Sequence, residues 1–222
     1  MVPFSFAGQE LVLAGPRALY WPAEQALLVA DLHLEKASYF ARHGQLLPPY
    51  DSRETLERIA VAIRETGTRR VLCLGDNFHD VDGAARLEPH AAGMLAALVR
   101  ATDWVWITGN HDLGEVGEGT ALPELELAGL VLRHEAVAGE ARPELSGHWH
   151  PRLRVNARGR TVARPCWVRS ERKLVLPAFG ALTGGMDAAD PAIIAALQPA
   201  SVVDALLPAK GRLVQYPLWR AA

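Results

Sequence analysis

Four short clusters of carboxylate, amide and imidazole side chains occur along this chain of 222 residues, and each cluster follows a run of apolar residues. They are Asp31-Leu32-His33, Gly75-Asp76, Gly109-Asn110-His111-Asp112 and Gly147-His148-Trp149-His150. Carboxylate and imidazole ligands suit Mn²⁺, Fe or Zn²⁺ better than Ca²⁺. Because buried strands can end at one edge of a sheet, polar residues that follow several strands can meet there. The clusters therefore predict a two-metal site able to hydrolyse a bond of its substrate.

Each cluster has a competing interpretation when it is taken alone. Asp31 and His33 stand two residues apart, which on an extended segment points both side chains to one side, but an unrelated surface pair gives the same tripeptide. Asp76 can be a turn residue or helix cap instead of a carboxylate that bridges two cations. The Gly-Asn step can be an ordinary turn. The histidines decide between these interpretations, because five of the eight fall in or beside the clusters: His33, His111, His134, His148 and His150.

The elements around the clusters alternate between strand and helix in the first half of the chain. The continuous apolar run 26–30 predicts a strand covered on both faces, and a hairpin is predicted from 11–14 and 18–21. Asp51-Ser52-Arg53-Glu54 reads as a capping box, followed by helical spacing and a stop at Gly67. Further strands are predicted at 69–74, 104–108 and 130–133, and a further helix at 84–101.

After His150 the pattern changes to strands joined by turns, predicted at 153–155, 166–169, 174–176 and 213–216. Two packed sheets with helices outside would accommodate both halves of the chain. We predict one domain over residues 1–222, because the clusters span both halves.

Composition narrows the class of protein. Half of the residues are hydrophobic and the net charge is −2, which argues against a globally cationic nucleic-acid binder but leaves room for a local basic face. Cys73 and Cys166 form no CxxC pair, so no disulfide framework is predicted. The chain shows neither a signal peptide at its start nor an apolar run of about 18 residues that could span a membrane. We therefore expect a cytoplasmic protein without a membrane partner.

As an ordered set, the clusters resemble the calcineurin-like metallophosphoesterase superfamily, over the range from Asp31 to His150. The resemblance implies an α/β fold, a four-layer α/β/β/α sandwich of two mixed sheets flanked by helices. It implies one metal ion on Asp31, His33, Asp76 and His150. It implies a second metal ion on Asp76, Asn110, His134 and His148, with Asp76 bridging. Many relatives have His-Gly where this chain has His134-Glu135.

The resemblance also implies the chemistry of a metal-dependent phosphoesterase. Two divalent ions would clamp the phosphoryl oxygens, and a metal-bridging hydroxide would attack phosphorus in line with the leaving oxygen. His111 would protonate the leaving group. The adjacency of the two residues in the cluster suggests in addition that Asp112 could orient the His111 ring. Asn110 and His111 would also bind the phosphate. Arg42 and His43, on the segment after the first cluster, are candidate substrate contacts.

The flanking segments resemble the bacterial ligase-associated DNA damage response endonucleases. The segments that carry this resemblance are 31–37, 47–51, 75–80 and 177–185. It implies a phosphodiesterase that acts on DNA in repair, favours Mn²⁺ over Fe or Zn²⁺, and associates with a DNA ligase, a helicase and a nuclease.

A basic segment gives the DNA hypothesis independent but ambiguous support. Between Arg152 and Lys173 it holds eight basic residues against one acid, Glu171. Such a strip can track a nucleic-acid backbone, or it can be a solvated face whose charges oppose edge-to-edge aggregation. The alternative function is a phosphodiesterase or phosphomonoesterase for small nucleotides with no role on DNA. A non-catalytic interaction module would be expected to have lost ligands that this chain keeps.

Overall fold

The structure is a computed structural model that describes residues 1–112, 117–157 and 159–221. Its first sheet has seven strands in the order of the chain. They are β1 (Val2–Phe6), β2 (Gln9–Ala14), β3 (Ala18–Trp21), β4 (Ala26–Ala30), β5 (Arg70–Leu74), β6 (Asp103–Ile107) and β7 (Thr120–Leu122). Strands β1 to β4 are antiparallel, and β4 to β7 run parallel. The predicted 11–21 hairpin is confirmed as β2 and β3.

The remaining strands form a second sheet and a separate hairpin. They are β8 (Glu124–Leu127), β9 (Leu130–Arg133), β10 (Glu144–Ser146), β11 (Arg152–Ala157), β12 (Arg160–Pro165), β13 (Trp167–Arg169), β14 (Lys173–Val175), β15 (Val202–Ala209) and β16 (Arg212–Arg220). The second sheet has the order β16-β15-β13-β14-β10-β9-β8 and is mixed, with β9, β10 and β14 parallel. Strands β11 and β12 pair with each other as a two-stranded ribbon.

Apolar side chains from both sheets meet in a central core. Leu28 and Leu72 from the first sheet, and Leu145 and Leu174 from the second, belong to one cluster and are fully buried. Burial of such a side chain contributes about 1.5–3 kcal/mol relative to leaving it exposed. The two sheets therefore lie face to face, as the sequence predicted.

Helices cover the outer faces of this sandwich. They are α1 (Lys36–Arg42), α2 (Asp51–Thr66), α3 (Gly83–Arg86), α4 (Pro89–Ala101) and α5 (Pro191–Ala196), with a 3₁₀ turn at Pro22–Glu24. Leu56 and Ile59 of α2 pack with Val71 and Cys73 of the first sheet. Ile193 of α5 packs against the outer side of the second sheet. The predicted α/β/β/α order is confirmed.

Helix α2 begins where predicted, but the capping box is wrong. No side chain caps the helix. The Asp51 carboxylate accepts the Ala37 N–H (3.0 Å), and the Ser52 hydroxyl accepts the Glu35 N–H (2.8 Å). These bonds tie α2 to the start of α1, because tertiary donors compete successfully with those of the helix's own first turn. The predicted stop is confirmed, since Gly67 ends the helix with φ 65°.

The helix predicted over 84–101 is two helices. Pro89 begins α4, and the Glu88 carboxylate accepts the N–H groups of His90 and Ala91 at 2.9 Å each. Proline lacks an N–H and its ring clashes inside a helix, whereas the first helical position tolerates it. The chain therefore breaks between α3 and α4.

Cys73 and Cys166 are both free and buried. Among the helices of the described ranges, none combines the length and the apolar composition needed to cross a membrane.

Candidate metal centre

The predicted ligand loops meet because the strands before them end in register. Ala30 pairs with Leu74, and Leu74 pairs with Ile107, so β4, β5 and β6 deliver their loops to one edge. The loops then bond to each other, as when the Asp31 N–H donates to the Gly75 carbonyl (3.1 Å). Strands β9 and β10 are parallel neighbours in the second sheet and bring the last histidines to the same place.

Asp31, His33 and His150 form the first ligand group, with candidate ligand atoms all within 4.8 Å of one another. His33 Nε2 lies 3.2 Å from His150 Nε2, which lies 3.5 Å from Asp31 Oδ1. Asp31 is fully buried, and buried charges in proteins are paired or coordinate metals. Burial, and then the neighbouring His150, lower the pKa of His33 to about 2. His33 is therefore neutral at pH 7, which is the form that can bind a metal ion.

Asp76, His134 and His148 form the second group, again within 4.8 Å. His134 Nε2 lies 3.4 Å from Asp76 Oδ1 and 3.0 Å from His148 Nδ1. The Asn110 amide faces the same point, with Nδ2 3.5 Å from His148 Nδ1. Rotation of that amide about its last bond would present its oxygen as a ligand.

Asp76 lies between the two groups. Its Oδ1 faces His134, whereas its Oδ2 lies 3.7 Å from His33 Nε2 in the first group. Each oxygen is thus available to a different cation, which is what a bridging carboxylate requires. The structure brings all seven predicted ligands together, and their carboxylate, imidazole and amide donors fit two divalent ions such as Mn²⁺, Fe or Zn²⁺.

The ligand segments are not extended, which corrects the expectation drawn from their i, i+2 spacing. Positive φ angles occur at Asp31 (52°), His33 (43°), Asp76 (46°), His148 (70°) and His150 (47°). Few non-glycine residues adopt this left-handed conformation. These five side chains reach the site because the backbone turns at each of them, and such strain concentrates at functional sites in proteins.

Two glycines permit the close approach of the loops. A Cβ atom at Gly75 would lie 2.1 Å from His134 Nδ1, and one at Gly147 would lie 2.6 Å from Asp31 Oδ2. Any larger residue there would push a ligand out of its group. The glycine that precedes a ligand in the sequence is therefore part of the geometry of the site.

His111 lies at the open side of the centre. Its backbone N–H donates to Asp76 Oδ1 (3.1 Å), and its ring Nε2 is 3.9 Å from Asp76 Oδ2. The side chain is 45% exposed, compared with 5% for that of His33. This ring can therefore meet a substrate that approaches from solvent.

Asp112 connects its own loop, which follows β6, to the loop that follows β5. Its carboxylate accepts the backbone N–H groups of Gly109 (2.9 Å), Asn77 (3.0 Å) and Phe78 (3.2 Å), together with the Asn77 amide (2.8 Å). Burial raises its pKa although these bonds oppose the shift. Within the described residues this carboxylate makes no hydrogen bond with the His111 ring, so orientation of that ring by Asp112 stays a prediction.

His79 is a site residue that the sequence reasoning did not include. Its ring stacks on His111, with centroids 5.5 Å apart and planes at 14°, and its Nδ1 is 3.5 Å from His33 Nδ1. It also stacks on Phe40 (5.6 Å). Its position three residues after Asp76, in a loop that ends a buried strand, was the available signal.

Arg42 and His43 lie at the end of α1, outside the ligand groups. Arg42 pairs with Asp82 at 3.6 Å, with both side chains exposed. The His43 ring packs on Tyr39 (4.4 Å), and Tyr39 in turn contacts His79 (4.8 Å). They occupy the outer rim of the site, where a role in substrate contact stays a prediction.

Two residues that are adjacent to ligands in the sequence, Glu135 and Trp149, contact His148. Glu135 Oε1 lies 3.7 Å from His148 Nε2, the ring nitrogen opposite the one that faces His134. Trp149 packs against the core cluster outside the second sheet and edge-on to His148 (4.8 Å). The Glu135 carboxylate can therefore interact with His148 on the side of the ring that faces away from His134. Trp149 has a packing role.

The basic segment 152–173 is not one continuous face, which corrects that interpretation of the sequence. Lys173 is buried, donates to the carbonyls of Val137 and Ala196, and lies 3.5 Å from Glu144. It pairs in register with Glu144, at the end of β10 away from His148. Of the eight basic residues, Arg158 falls outside the described residues.

Comparison with known families identifies the class of protein. The calcineurin-like phosphoesterase family matches residues 25–157, more than half of the chain, and this range contains all four ligand clusters. The chain belongs to this family. It is therefore a metal-dependent phosphoesterase.

Among solved structures, the nuclease MPE of Pseudomonas putida is similar, with 31% identity, a TM-score of 0.69, and coverage of 92% of this chain and 95% of that one. The phosphoesterase YfcE of E. coli matches at 15% identity and a TM-score of 0.41, over 87% of this chain and 99% of that one. The second likeness is too weak to carry an argument. No curated protein matches the sequence significantly.

Proposed function

We propose that the protein is a two-metal phosphodiesterase that cleaves DNA. The observation that carries the proposal is the position of Asp76, whose two oxygens face two separate ligand groups. A shared carboxylate holds two cations at the separation of about 3.5–4 Å used for in-line displacement at phosphorus. The similarity to a nuclease over most of both chains supports a nucleic acid as the substrate, and the choice of DNA rests on the resemblance of the flanking segments.

The chain's own residues divide the work around the cations. When bound, the metal ions, Mn²⁺ first with Fe or Zn²⁺ as alternatives, supply Lewis-acid stabilisation and an activated water. Asn110 and His111 contact a non-bridging oxygen of the phosphate. The exposed imidazole of His111 then gives its proton to the leaving oxygen, a step that general acids accelerate about 10²–10⁴-fold.

The surroundings of His111 hold it in place for this step. His79 stacks on one face of the ring, which restricts its rotation. The bonds from Gly109, Asn77 and Phe78 to Asp112 fix the loop that carries His111 against the loop that carries Asp76. Positioning and charge stabilisation are the main contributions that a protein makes to phosphoryl transfer.

The proposed setting is DNA repair, alongside a DNA ligase, a helicase and a nuclease. This part of the proposal rests on the resemblance of residues 31–37, 47–51, 75–80 and 177–185 to the ligase-associated endonucleases.

The proposal is tested with the full chain, Mn²⁺, and single-stranded, duplex and nicked DNA, with bis(p-nitrophenyl) phosphate as a small diester. We expect cleavage of DNA and of the small diester, and loss of both in Asp76→Asn. Hydrolysis of small diesters without cleavage of any DNA would favour the alternative, an enzyme for small nucleotides. Failure to hydrolyse any phosphoester with Mn²⁺, Fe or Zn²⁺ would refute the proposal.

A further inference from the structure

We propose that the two-stranded ribbon formed by β11 (Arg152–Ala157) and β12 (Arg160–Pro165) binds the sugar–phosphate backbone of the substrate strand beyond the metal centre. The inference rests on the proposed function and extends it, since it assigns a binding surface for DNA outside the ligand groups. Three features of the ribbon carry the inference: its anchorage, its exposure and its charge.

The base of the ribbon is anchored beside the ligands. Arg152 begins β11 two residues after His150, and its N–H donates to the Met186 carbonyl (2.9 Å). Leu153 is 8% exposed and packs in the core cluster outside the second sheet, with Val155 against it. The ribbon therefore keeps a set position relative to the metal centre.

The rest of the ribbon is exposed. Its two strands pair with each other, and among the described residues the one further backbone bridge joins Arg152 to Asp187. Asn156, Thr161 and Arg160 are all exposed. Six residues of strand span about 20 Å, the length of about six nucleotides of one duplex strand at 3.4 Å each.

The ribbon carries positive charge and has no acidic residue of its own between 152 and 165. Arg154 Nε is 3.8 Å from Asp187, and no carboxylate of the described residues lies within 4.0 Å of the guanidinium groups of Arg160 or Arg164. By contrast, three arginines of α2 and β16 pair with carboxylates: Arg53 with Glu57, Arg58 with Glu54 and Arg220 with Asp204.

The register distributes this charge over both faces of the ribbon. Residues directly opposite each other in an antiparallel pair share a face. Arg154 lies opposite Ala163 on one face, while Arg164 lies opposite Leu153 on the other face. These small or apolar cross-strand partners do not compete for the guanidinium groups, and the one carboxylate near Arg154, that of Asp187, is itself exposed. The guanidinium groups can therefore bind an external anion. Phosphates spaced along a nucleic-acid strand are an anion of matching length and charge.

The test is a triple variant, Arg154→Gln with Arg160→Gln and Arg164→Gln, compared with a control of equal charge change. The control is Arg64→Gln with Arg69→Gln and Arg212→Gln, three exposed arginines outside the ribbon. Binding of single-stranded and duplex oligonucleotides is measured by fluorescence anisotropy in metal-free buffer over a range of salt concentrations. The kcat/KM for bis(p-nitrophenyl) phosphate, too short to reach the ribbon, reports an intact metal centre.

The salt dependence is the slope of the logarithm of the DNA association constant against the logarithm of the salt concentration. We expect the magnitude of this slope to decrease by about 1 for each phosphate that the ribbon variant can no longer bind through an arginine. In the control variant the slope should keep its wild-type value. We also expect affinity to fall more for oligonucleotides longer than about six nucleotides than for shorter ones. Equal DNA binding by the wild type and the ribbon variant, or equal weakening in the ribbon variant and the control, would overturn the inference and leave the proposed function intact. A wild type that hydrolyses the small diester but neither binds nor cuts DNA would instead refute the proposed function.

Discussion

Replacement of Asp112 by alanine distinguishes two roles for this residue. The sequence suggested that it orients the His111 ring, whereas in the structure its carboxylate accepts hydrogen bonds from four N–H groups: the backbone N–H groups of Gly109, Asn77 and Phe78 and the side-chain amide of Asn77. A buried group left without a partner costs about 1–3 kcal/mol. Four such groups, at the low end because water can enter the space left by the carboxylate, give about 4 kcal/mol. That is a large share of the roughly 5–15 kcal/mol that stabilises a folded domain.

The assay is urea unfolding of the metal-free protein, with Mn²⁺ content measured alongside by elemental analysis. We expect Asp112→Ala to lower the free energy of unfolding by about 4 kcal/mol, and Asp112→Asn, which keeps one oxygen, to lower it by less. Asp82→Ala, a change of an exposed carboxylate, should stay within about 0.5 kcal/mol of the wild type.

One pattern of results would contradict the loop-holding role of Asp112. Unchanged stability and Mn²⁺ content in Asp112→Ala, with cleavage of DNA lost but hydrolysis of nitrophenyl esters kept, would refute the loop-holding role. That pattern would match loss of the general acid alone and would restore the interpretation based on the sequence.

Three further predictions concern the histidines of the centre. His111→Ala should keep both metal ions, and its rate of DNA cleavage should fall about 10²–10⁴-fold. Its rate on p-nitrophenyl esters should fall far less, because p-nitrophenolate leaves without a proton, and equal losses on both substrates would contradict general-acid catalysis. Glu135→Gln should weaken one of the two Mn²⁺-binding steps in calorimetric titration about 10–100-fold, because the carboxylate that lies 3.7 Å from His148 Nε2 would be lost. If both binding steps kept their wild-type affinity, Glu135 would have no role in metal binding. Because the pKa of His33 is lowered to about 2 in the folded state from 6.5, the metal-free protein should lose stability as the pH falls below about 6.5, by up to about 1.4 kcal/mol per pH unit. His33→Asn should flatten that dependence in urea unfolding, and an unchanged slope would show that other groups cause it.

Local sequence was sufficient for the elements that carry the ligands. The apolar runs before Asp31, Asp76 and Asn110 are strands, because continuous β-forming residues suit a sheet buried on both faces. Structures in which a side chain can choose between several hydrogen-bond partners were predicted less well. The capping box before α2 failed because Ser52 and Asp51 bond to the neighbouring segment 35–37 instead, and no pattern of spacing contains that information.

The four clusters could be inferred from residue types and from their positions after apolar runs, whereas His134 and the full set of seven ligands came from the resemblance to the family. Which of them share a cation could not be derived from spacing, because it depends on the register of β4, β5 and β6 and on left-handed turns at the ligands themselves. The same holds for His79, whose ring reaches His111 across two loops. It also holds for the basic segment, which folding divides between a buried Lys173 and an exposed ribbon. The sequence determines the chemistry of each side chain. The distances between side chains, their burial and the directions in which they point arise only when segments far apart in the sequence pack against each other.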